Sequence, residues 1–259
     1  RAILEWMLLL PAAIPAYIIA YCYTDFFEYA GPVQSELRAV FGWQSPRDYY
    51  FPEVRSVGGA VLVMASVLYP YIYMVTRIAF RLTPASLFEI ALVHKKSQFW
   101  HVGLPLARPA IVAGLALVMM EVVSDFGTVE YFAVQTITLG IFNVWLGMNN
   151  LVAAAQISLV GFLFILGLLG LELYARSRQQ YVSTSRAQNS LAPLPTSTVG
   201  ACVCWALCLI PLSFGFFIPL GVLLRFVLRG DVMADFLAIQ PVVVNTMLVA
   251  IAAAFFIML

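Results

Sequence analysis

Charged residues, histidine and cysteine are all scarce in this chain of 259 residues. Asp, Glu, Lys and Arg together make up 10% of the sequence, the formal net charge is +1, and there are two histidines and four cysteines. No basic run alternates with aromatic residues as the binding surface of a nucleic-acid-binding protein does. The near-neutral balance therefore gives no reason to expect a nucleic-acid partner.

The few cysteines and histidines are not spaced for a metal centre or a disulfide. Cys202, Cys204 and Cys208 lie in one apolar run, where residues two apart point to different sides of a helix, so we expect small packing residues there. We expect His94 and His101 to be loop-surface residues. The sequence also lacks a Gly-rich phosphate loop with its lysine and a Ser/His/Asp constellation. We therefore expect no catalytic residue, no metal site, no cofactor and no ATP hydrolysis by this chain.

Apolar residues dominate instead, at 63% of the sequence with a mean hydropathy of +0.93. That composition is typical of a membrane protein, in which a spanning helix needs about 20 apolar residues. The sequence predicts an all-α membrane protein, a polytopic helical bundle with about six transmembrane helices. The candidate spans are residues 3–23, 57–79, 109–123, 151–173, 199–224 and 241–259.

Charge in the connecting segments predicts the orientation of these spans. Segment 77–108 has five Lys or Arg residues against Glu89, and segment 174–198 has three arginines and no acid. Segment 24–56 has five acids against three arginines, and segment 125–150 has no basic residue. Because Lys and Arg are retained on the cytoplasmic side, the two basic segments are predicted to be cytoplasmic and the other two to be outside. The five outer acids either receive a partner protein or form a solvated face.

The cytoplasmic segment 88–111 reads FEIALVHKKSQFWHVGLPLARPAI. Its Glu-Ile-Ala start and its end, GLPLARPAI, resemble the cytoplasmic "EAA" loop of binding-protein-dependent ABC importer permeases. The resemblance implies a short helix that docks into a groove of a separate ATP-binding subunit. That family has glycine about six residues after its glutamate, where this chain has Lys95. The alternative is an ordinary cytoplasmic loop with positive-inside residues.

Physical arguments support the same loop. An acid near the start of a short helix would favour the helix dipole, and Pro105 and Pro109 would fix where the next span begins. Phe99 and Trp100 would supply an apolar face for the partner. The predicted ATPase-coupling residues are Glu89, Ala91, Phe99, Trp100, Gly103, Leu104 and Pro105.

A second candidate site lies near the outer end of the third span. Glu121 and Asp125 are four residues apart and would share a helix face, and acids at membrane depth usually face a bundle interior or a wet path. With Gly127 and Glu130 they form a candidate translocation path. The alternative is a pair of acids solvated by headgroup water.

Three stretches resemble the first half of ferric-iron ABC permeases: YTDFFEYAGPVQ (23–34), SPRDYYFPEVRSVGG (45–59) and DFGTVEYF (125–132). The resemblance extends from about residue 4 to residue 181. It implies a multi-pass protein of the cell inner membrane that carries Fe³⁺ delivered by a periplasmic binding protein, with membrane lipid around it. Acids along the path suit a hard cation, which prefers oxygen ligands.

The resemblance also implies a partial type I ABC importer permease core with three regions. Residues 1–180 form a partial first permease half that includes a coupling loop at 81–108, the polar residues 181–198 form a linker, and residues 199–259 begin a second half. Within that second half, NTMLVA (245–250) resembles the start of a core helix. The chain lacks an initial Met and stops within an apolar run, so we expect a piece of a longer polypeptide.

Three alternatives remain open from sequence. One is a permease of the same branch for thiamine, polyamine, sulfate or phosphonate. Another is a truncated copy that keeps its spans but does not transport. An ion channel is the third, although no repeated filter-like segment is present.

Overall fold

The computed structural model describes residues 2–177, 198–229 and 232–258, and all regular structure in those ranges is helical. The chain divides into two compact units, Arg1–Ile218 and Pro219–Leu259. The prediction of an all-α membrane protein is therefore confirmed for the described residues. The predicted linker falls almost entirely on residues 178–197, which lie outside the described residues, so the division into permease halves stays a prediction.

Twelve α-helices and four short 3₁₀ or π turns make up the described chain. The first unit begins with α1 (Ala2–Met7), a 3₁₀ turn (Leu10–Ala13), α2 (Ala16–Phe27), α3 (Pro32–Phe41), α4 (Val57–Leu82) and α5 (Ala85–Val93). It continues with a π turn (Phe99–Gly103), α6 (Leu104–Ser124), α7 (Gly127–Tyr131), α8 (Ile137–Phe142), a π turn (Asn143–Gly147) and α9 (Leu151–Ser177). The last elements are α10 (Thr198–Leu212), a π turn (Ser213–Phe217), α11 (Ile218–Arg229) and α12 (Val232–Met258).

Five helical stretches are long and apolar enough to cross a membrane, and a bent pair at the N-terminal end makes up to six. The five are Val57–Leu82, Phe99–Ser124, Leu151–Tyr174, Thr198–Arg229 and Ile239–Ile257. The number and order of the predicted spans are thus confirmed within the described part of the chain.

Two predicted spans differ in detail from the structure. The first breaks at Ile14 and Pro15, where Ile3–Ala13 and Ala16–Phe41 meet at 87°; Pro15 lacks the N–H that would continue the helix. The third starts at Phe99 rather than at residue 109, and Pro109 lies inside α6. Proline is tolerated within membrane helices because neighbouring groups satisfy the freed backbone carbonyl.

Close packing of small residues joins the central helices. α6 packs against both α4 and α9, and its buried residues are alanines and one glycine: Ala107, Ala110, Ala113, Gly114 and Ala116. A Cβ on Gly114 would lie 2.9 Å from the Cα of Ile72 on α4. Small residues allow helix backbones to approach, which is the usual basis of helix association in lipid.

A buried cluster at one end of this bundle joins α2, α4, α7 and α8. Ile19 and Tyr23 of α2 pack with Val63 and Val67 of α4 and with Phe132 after α7. This cluster positions the end of α6 and the acids that follow it.

Irregular turns also meet within the first unit. The Tyr23 hydroxyl donates a hydrogen bond of 2.6 Å to the carbonyl of Phe214 in the third π turn. A Cβ on Gly215 would overlap the carbonyl oxygen of Ser66 and would lie 2.8 Å from Cβ of Pro11. The residues from Thr198 to Ile218 therefore pack within the same unit as α2 and α4.

Candidate functional site

The predicted coupling segment contains a short helix, α5, with defined ends. Pro84 precedes the helix in an extended conformation, and no acid lies in the first turn. Glu89 is the fifth residue of α5, so the expectation that its charge favours the N-terminal dipole is wrong: that effect falls off within the first turn.

A left-handed residue closes α5. The backbone N–H of Lys95 donates to Leu92 and that of Lys96 donates to Ala91, both at 2.9 Å, and Lys95 has φ +52°. This pair of bonds is a Schellman motif, in which the residue after the cap takes the left-handed conformation and is usually glycine. Lys95 therefore takes the position that glycine suits best, at the residue where the resemblance to the "EAA" loop leads one to expect glycine.

The chain then returns to the bundle through the π turn Phe99–Gly103. The Gln98 side chain donates to the carbonyl of Phe88 at 3.2 Å, which ties the return to α5. Gly103 is buried, and a Cβ there would lie 2.8 Å from the ring of Phe80 on α4. Pro105 occupies the first turn of α6, where a missing backbone donor costs little.

The predicted coupling residues divide into two groups by burial. Ala91 and Gly103 are buried, and Leu104 and Pro105 are half-buried. Glu89 is exposed, as are Phe99 at 52% and Trp100 at 65%.

Sequence reasoning missed further exposed apolar residues on α5, which are Leu87, Ile90, Leu92 and Val93. We call Ile90, Leu92, Val93, Phe99 and Trp100 the α5 surface. An unbroken apolar run in a segment rich in lysine was the available signal. Neighbouring exposed apolar side chains are typical of a surface that binds a protein or a membrane.

The acidic candidate site is organised by a helix cap. Asp125 is the first residue beyond α6, and one carboxylate oxygen accepts the backbone N–H of Thr128 at 2.7 Å. Its other oxygen accepts the Thr128 hydroxyl at 3.0 Å. Asp125 therefore closes the first turn of α7, a common role for aspartate. The spacing Asp-x-x-Thr was the sequence signal for this role.

The other predicted path residues are arranged differently. Glu121 and Glu130 are exposed. Gly127 packs against α2, since a Cβ there would lie 3.0 Å from Cβ of Tyr17. In the described ranges no group of three or more His, Cys, Asp or Glu residues could hold a metal ion.

Segment 24–56 forms a hydrogen-bonded unit that sequence reasoning did not predict. The Tyr49 hydroxyl donates to Gln34 at 2.5 Å and accepts from Arg38 at 3.0 Å, and Arg38 lies 4.0 Å from the ring centroid of Tyr29. Arg55 pairs with Glu28 at 2.9 Å. At least one of the five acids is therefore bound to a neighbouring side chain.

A second acid of this segment, Asp48, stabilises a turn. Its carboxylate accepts the backbone N–H groups of Ser45 and Gln44, each at 2.8 Å, and the Ser45 hydroxyl at 3.1 Å. The hydrogen bond from the Ser45 backbone, followed by that from Gln44, lowers the pKa of Asp48 below its ordinary value because both favour the charged form.

No protein-family model matches the chain, and no solved structure matches it. A Salmonella typhimurium strain LT2 protein named "Putative 2-aminoethylphosphonate transport system permease protein PhnU" is 25% identical over 173 residues, which is 64% of this chain and 59% of that protein. The Salmonella choleraesuis protein of the same name gives the same values. The Fe(3+)-transport system permease protein FbpB 2 of Haemophilus influenzae is 28% identical over 125 residues, 47% of this chain and 24% of that protein.

The matched region thus spans less than two thirds of the length of each of these relatives. The relatives are low in identity but agree in class. The homologues of this chain are permeases of ABC-type transport systems, which are transport subunits rather than enzymes.

Proposed function

We propose that this chain is part of the membrane permease of a binding-protein-dependent ABC importer in the cell inner membrane. Its partners are an ATP-binding subunit on the cytoplasmic side and a periplasmic substrate-binding protein. The similarity to transport permeases over 64% of the chain carries the proposal, and the apolar helices support it.

In this proposal α5 and the π turn after it couple the ATPase to the bundle. A coupling element has to be exposed where it meets its partner and fixed where it meets the membrane helices. The α5 surface supplies the first property. Two contacts supply the second property: Gly103 packs against the ring of Phe80, and the Gln98 side chain donates a hydrogen bond to the Phe88 carbonyl. A displacement of α5 is therefore passed to α4 and α6.

The exposed charge on α5 gives a direct test of coupling. In vesicles that contain the complete transporter, Glu89→Arg should lower ATP-driven uptake at least tenfold, because a reversed charge opposes docking in a specific groove. Membrane insertion should be unchanged, since Glu89 is exposed. The matched control is Glu36→Arg, the same charge reversal at an exposed residue of α3, which should leave binding of the ATP-binding subunit unchanged, whereas Glu89→Arg should weaken it. Unaltered uptake in Glu89→Arg would rule out the coupling role.

Two substrates are supported by separate observations. The phosphonate permeases match the longer stretch of this chain. Ferric iron is supported by the Haemophilus influenzae relative and by the exposed carboxylates of Glu121 and Glu130 near the end of α6. Asp125 supports iron less, because both of its oxygens are engaged by Thr128.

Uptake by the complete transporter separates these substrates. Vesicles loaded with ATP are given the cognate binding protein with either Fe³⁺ or 2-aminoethylphosphonate, and entry of each label is measured. The substrate of the transporter is the one whose uptake saturates and is not inhibited by an excess of the other compound. A wild-type protein that moves neither, although it binds its ATPase, would favour the non-transporting alternative or another substrate of this branch.

Two substitutions at Asp125 separate a path role from a capping role. Asn caps a helix about as well as Asp but is uncharged. Ala is also uncharged but cannot cap, and losing the cap costs about 1 kcal/mol of stability. If the charge serves transport, both variants lose uptake. If Asp125 only caps α7, Asp125→Asn transports normally and Asp125→Ala is destabilised. Thermal unfolding and uptake measured on the same preparations distinguish these results.

A further inference from the structure

An ionic cluster joins α1 to the end of α4 that leads into α5. The guanidinium groups of Arg77 and Arg81 on α4 converge on the same carboxylate oxygen of Glu5 on α1, and the Arg81 Nη2 lies 3.0 Å from it. Arg77 also lies 5.9 Å from the ring centroid of Tyr73, one turn earlier on α4. The side chain of Arg77 is 26% exposed and that of Arg81 is 64% exposed.

The charges within this cluster do not balance. Two guanidinium groups meet one carboxylate, which leaves a net charge of +1. Arg81 uses one Nη2 donor on Glu5, and a guanidinium has five N–H donors in a planar fork. The exposed fork of Arg81 therefore has both the charge and the geometry to bind an oxyanion, most favourably a phosphate.

The surroundings of the cluster are apolar and exposed. Arg77 and Arg81 lie in the last two turns of the candidate span Val57–Leu82. Ile78 and Leu82 next to them on α4, and Ile3 and Trp6 next to Glu5 on α1, are all exposed. Such residues on spanning helices face lipid tails, and tryptophan and arginine are common at the level of the headgroups.

We propose that Arg81, with the charge of Arg77 beside it, binds the phosphate group of an anionic phospholipid whose acyl chains lie on the apolar residues beside the cluster. A basic segment at the cytoplasmic side meets a leaflet rich in anionic lipid, so the charge of the cluster suits its predicted side of the membrane. The bound lipid would bridge α1 and α4 and so hold the N-terminal helix against the bundle.

Lipid binding to the full chain in detergent tests this proposal. Phosphatidylglycerol and phosphatidylcholine, matched in acyl chains, are titrated separately, and bound lipid is counted by native mass spectrometry. We expect tighter binding of phosphatidylglycerol, a loss of about fivefold in Arg81→Gln, and a gain in Glu5→Gln, which raises the cluster charge to +2. Arg108→Gln is the matched control, because it removes one exposed arginine from the same basic segment and should leave this binding unchanged.

Competition with inorganic phosphate distinguishes a site for a lipid headgroup from a site for a free anion. Millimolar phosphate should displace little lipid, because it lacks the acyl chains that rest on Ile78 and Trp6. Displacement by phosphate would overturn the lipid form of the proposal. So would equal binding of the two lipids, or equal phosphatidylglycerol binding by wild type and Arg81→Gln. Weaker binding in Glu5→Gln than in wild type would also overturn it, because the arginines would then depend on Glu5 for their position alone.

Discussion

Two connecting segments of the first unit, residues 24–56 and residues 83–103, use their side chains in opposite ways. In segment 24–56, polar side chains bond to one another across long stretches of chain: Arg55 reaches Glu28, 27 residues away, and Tyr49 joins Gln34 to Arg38. In segment 83–103, Gln98 bonds to the backbone carbonyl of Phe88, and the apolar α5 surface is exposed.

This difference bears on the proposed coupling role of segment 83–103. Hydrogen bonds between side chains that are far apart in the sequence hold a segment in one conformation without a partner. A segment whose apolar residues are exposed gains most when another surface covers those residues. Segment 24–56 has the first property and segment 83–103 has the second, as the proposed docking of an ATP-binding subunit requires.

The largest expected effect compares the buried glycine of each segment. A Cβ on Gly31 would lie 2.5 Å from the carbonyl oxygen of Asp25, 2.8 Å from that of Phe26 and 2.9 Å from that of Glu28. Backbone atoms cannot move aside cheaply, so Gly31→Ala should lower the free energy of unfolding by about 3 kcal/mol. Gly103→Ala meets only the ring edge of Phe80, which can shift, and should cost about 1 kcal/mol.

Unfolding of both variants in mixed micelles, followed by circular dichroism, measures this difference. Gly58→Ala is the control, because the nearest atom to a Cβ there is the Ser56 hydroxyl oxygen at 3.7 Å. Equal losses in Gly31→Ala and Gly103→Ala would mean that segment 24–56 is no more rigid than segment 83–103.

A smaller change in stability, in this case a gain, is expected from a substitution at the end of α5. Lys95 has φ +52°, a conformation that costs a side-chain-bearing residue about 1 kcal/mol and costs glycine little. Lys95→Gly should therefore stabilise the protein by about 0.5–1 kcal/mol and slow hydrogen exchange at the Lys96 amide. Lys96→Gly, one residue later, should give no such gain. Destabilisation by Lys95→Gly would show that α5 does not end in this turn.

Much of the fold could be predicted because an apolar run of sufficient length maps directly onto a spanning helix. The span Leu151–Tyr174 differs from the predicted 151–173 by a single residue. The bend at Pro15 and the early start at Phe99 could not be predicted, because a proline can end a helix or lie within one. The outcome depends on tertiary neighbours such as Phe80 against Gly103, which are distant in sequence.

The candidate site was predictable as a location but not in the roles of its residues. The resemblance around Glu89 and Gly103 identified the segment that forms α5, yet only the folded structure separates buried Ala91 from exposed Trp100. An aspartate at the end of a span can either line a path or cap the next helix. The bonds from Thr128 to Asp125 favour the cap in this structure, and a sequence alone leaves both roles open.

The smallest expected effect is the response of segment 24–56 to acid. The pKa of Asp48 is lowered from its ordinary 3.8 by hydrogen bonds from the Ser45 and Gln44 backbones. A carboxyl group with a lowered folded pKa adds stability that is complete above its ordinary pKa and is lost as the pH falls through the folded pKa. The turn at residues 44–48 should therefore be unchanged between about pH 7 and pH 5 and open only below the ordinary pKa.

Fluorescence of Trp43 reports this opening, since its ring stacks on Tyr49 with centroids 4.7 Å apart. The fluorescence of the Trp43→Phe variant measures the contribution of the other tryptophans, which is subtracted from the wild-type signal. Asp48→Asn removes the titrating group, so its Trp43 signal should be flat with pH and resemble that of the acid form of wild type. A midpoint at or above the ordinary aspartate pKa would mean that these hydrogen bonds do not favour the charged form in solution. Segment 24–56 would then be held together by Tyr49 and Arg55 without help from Asp48.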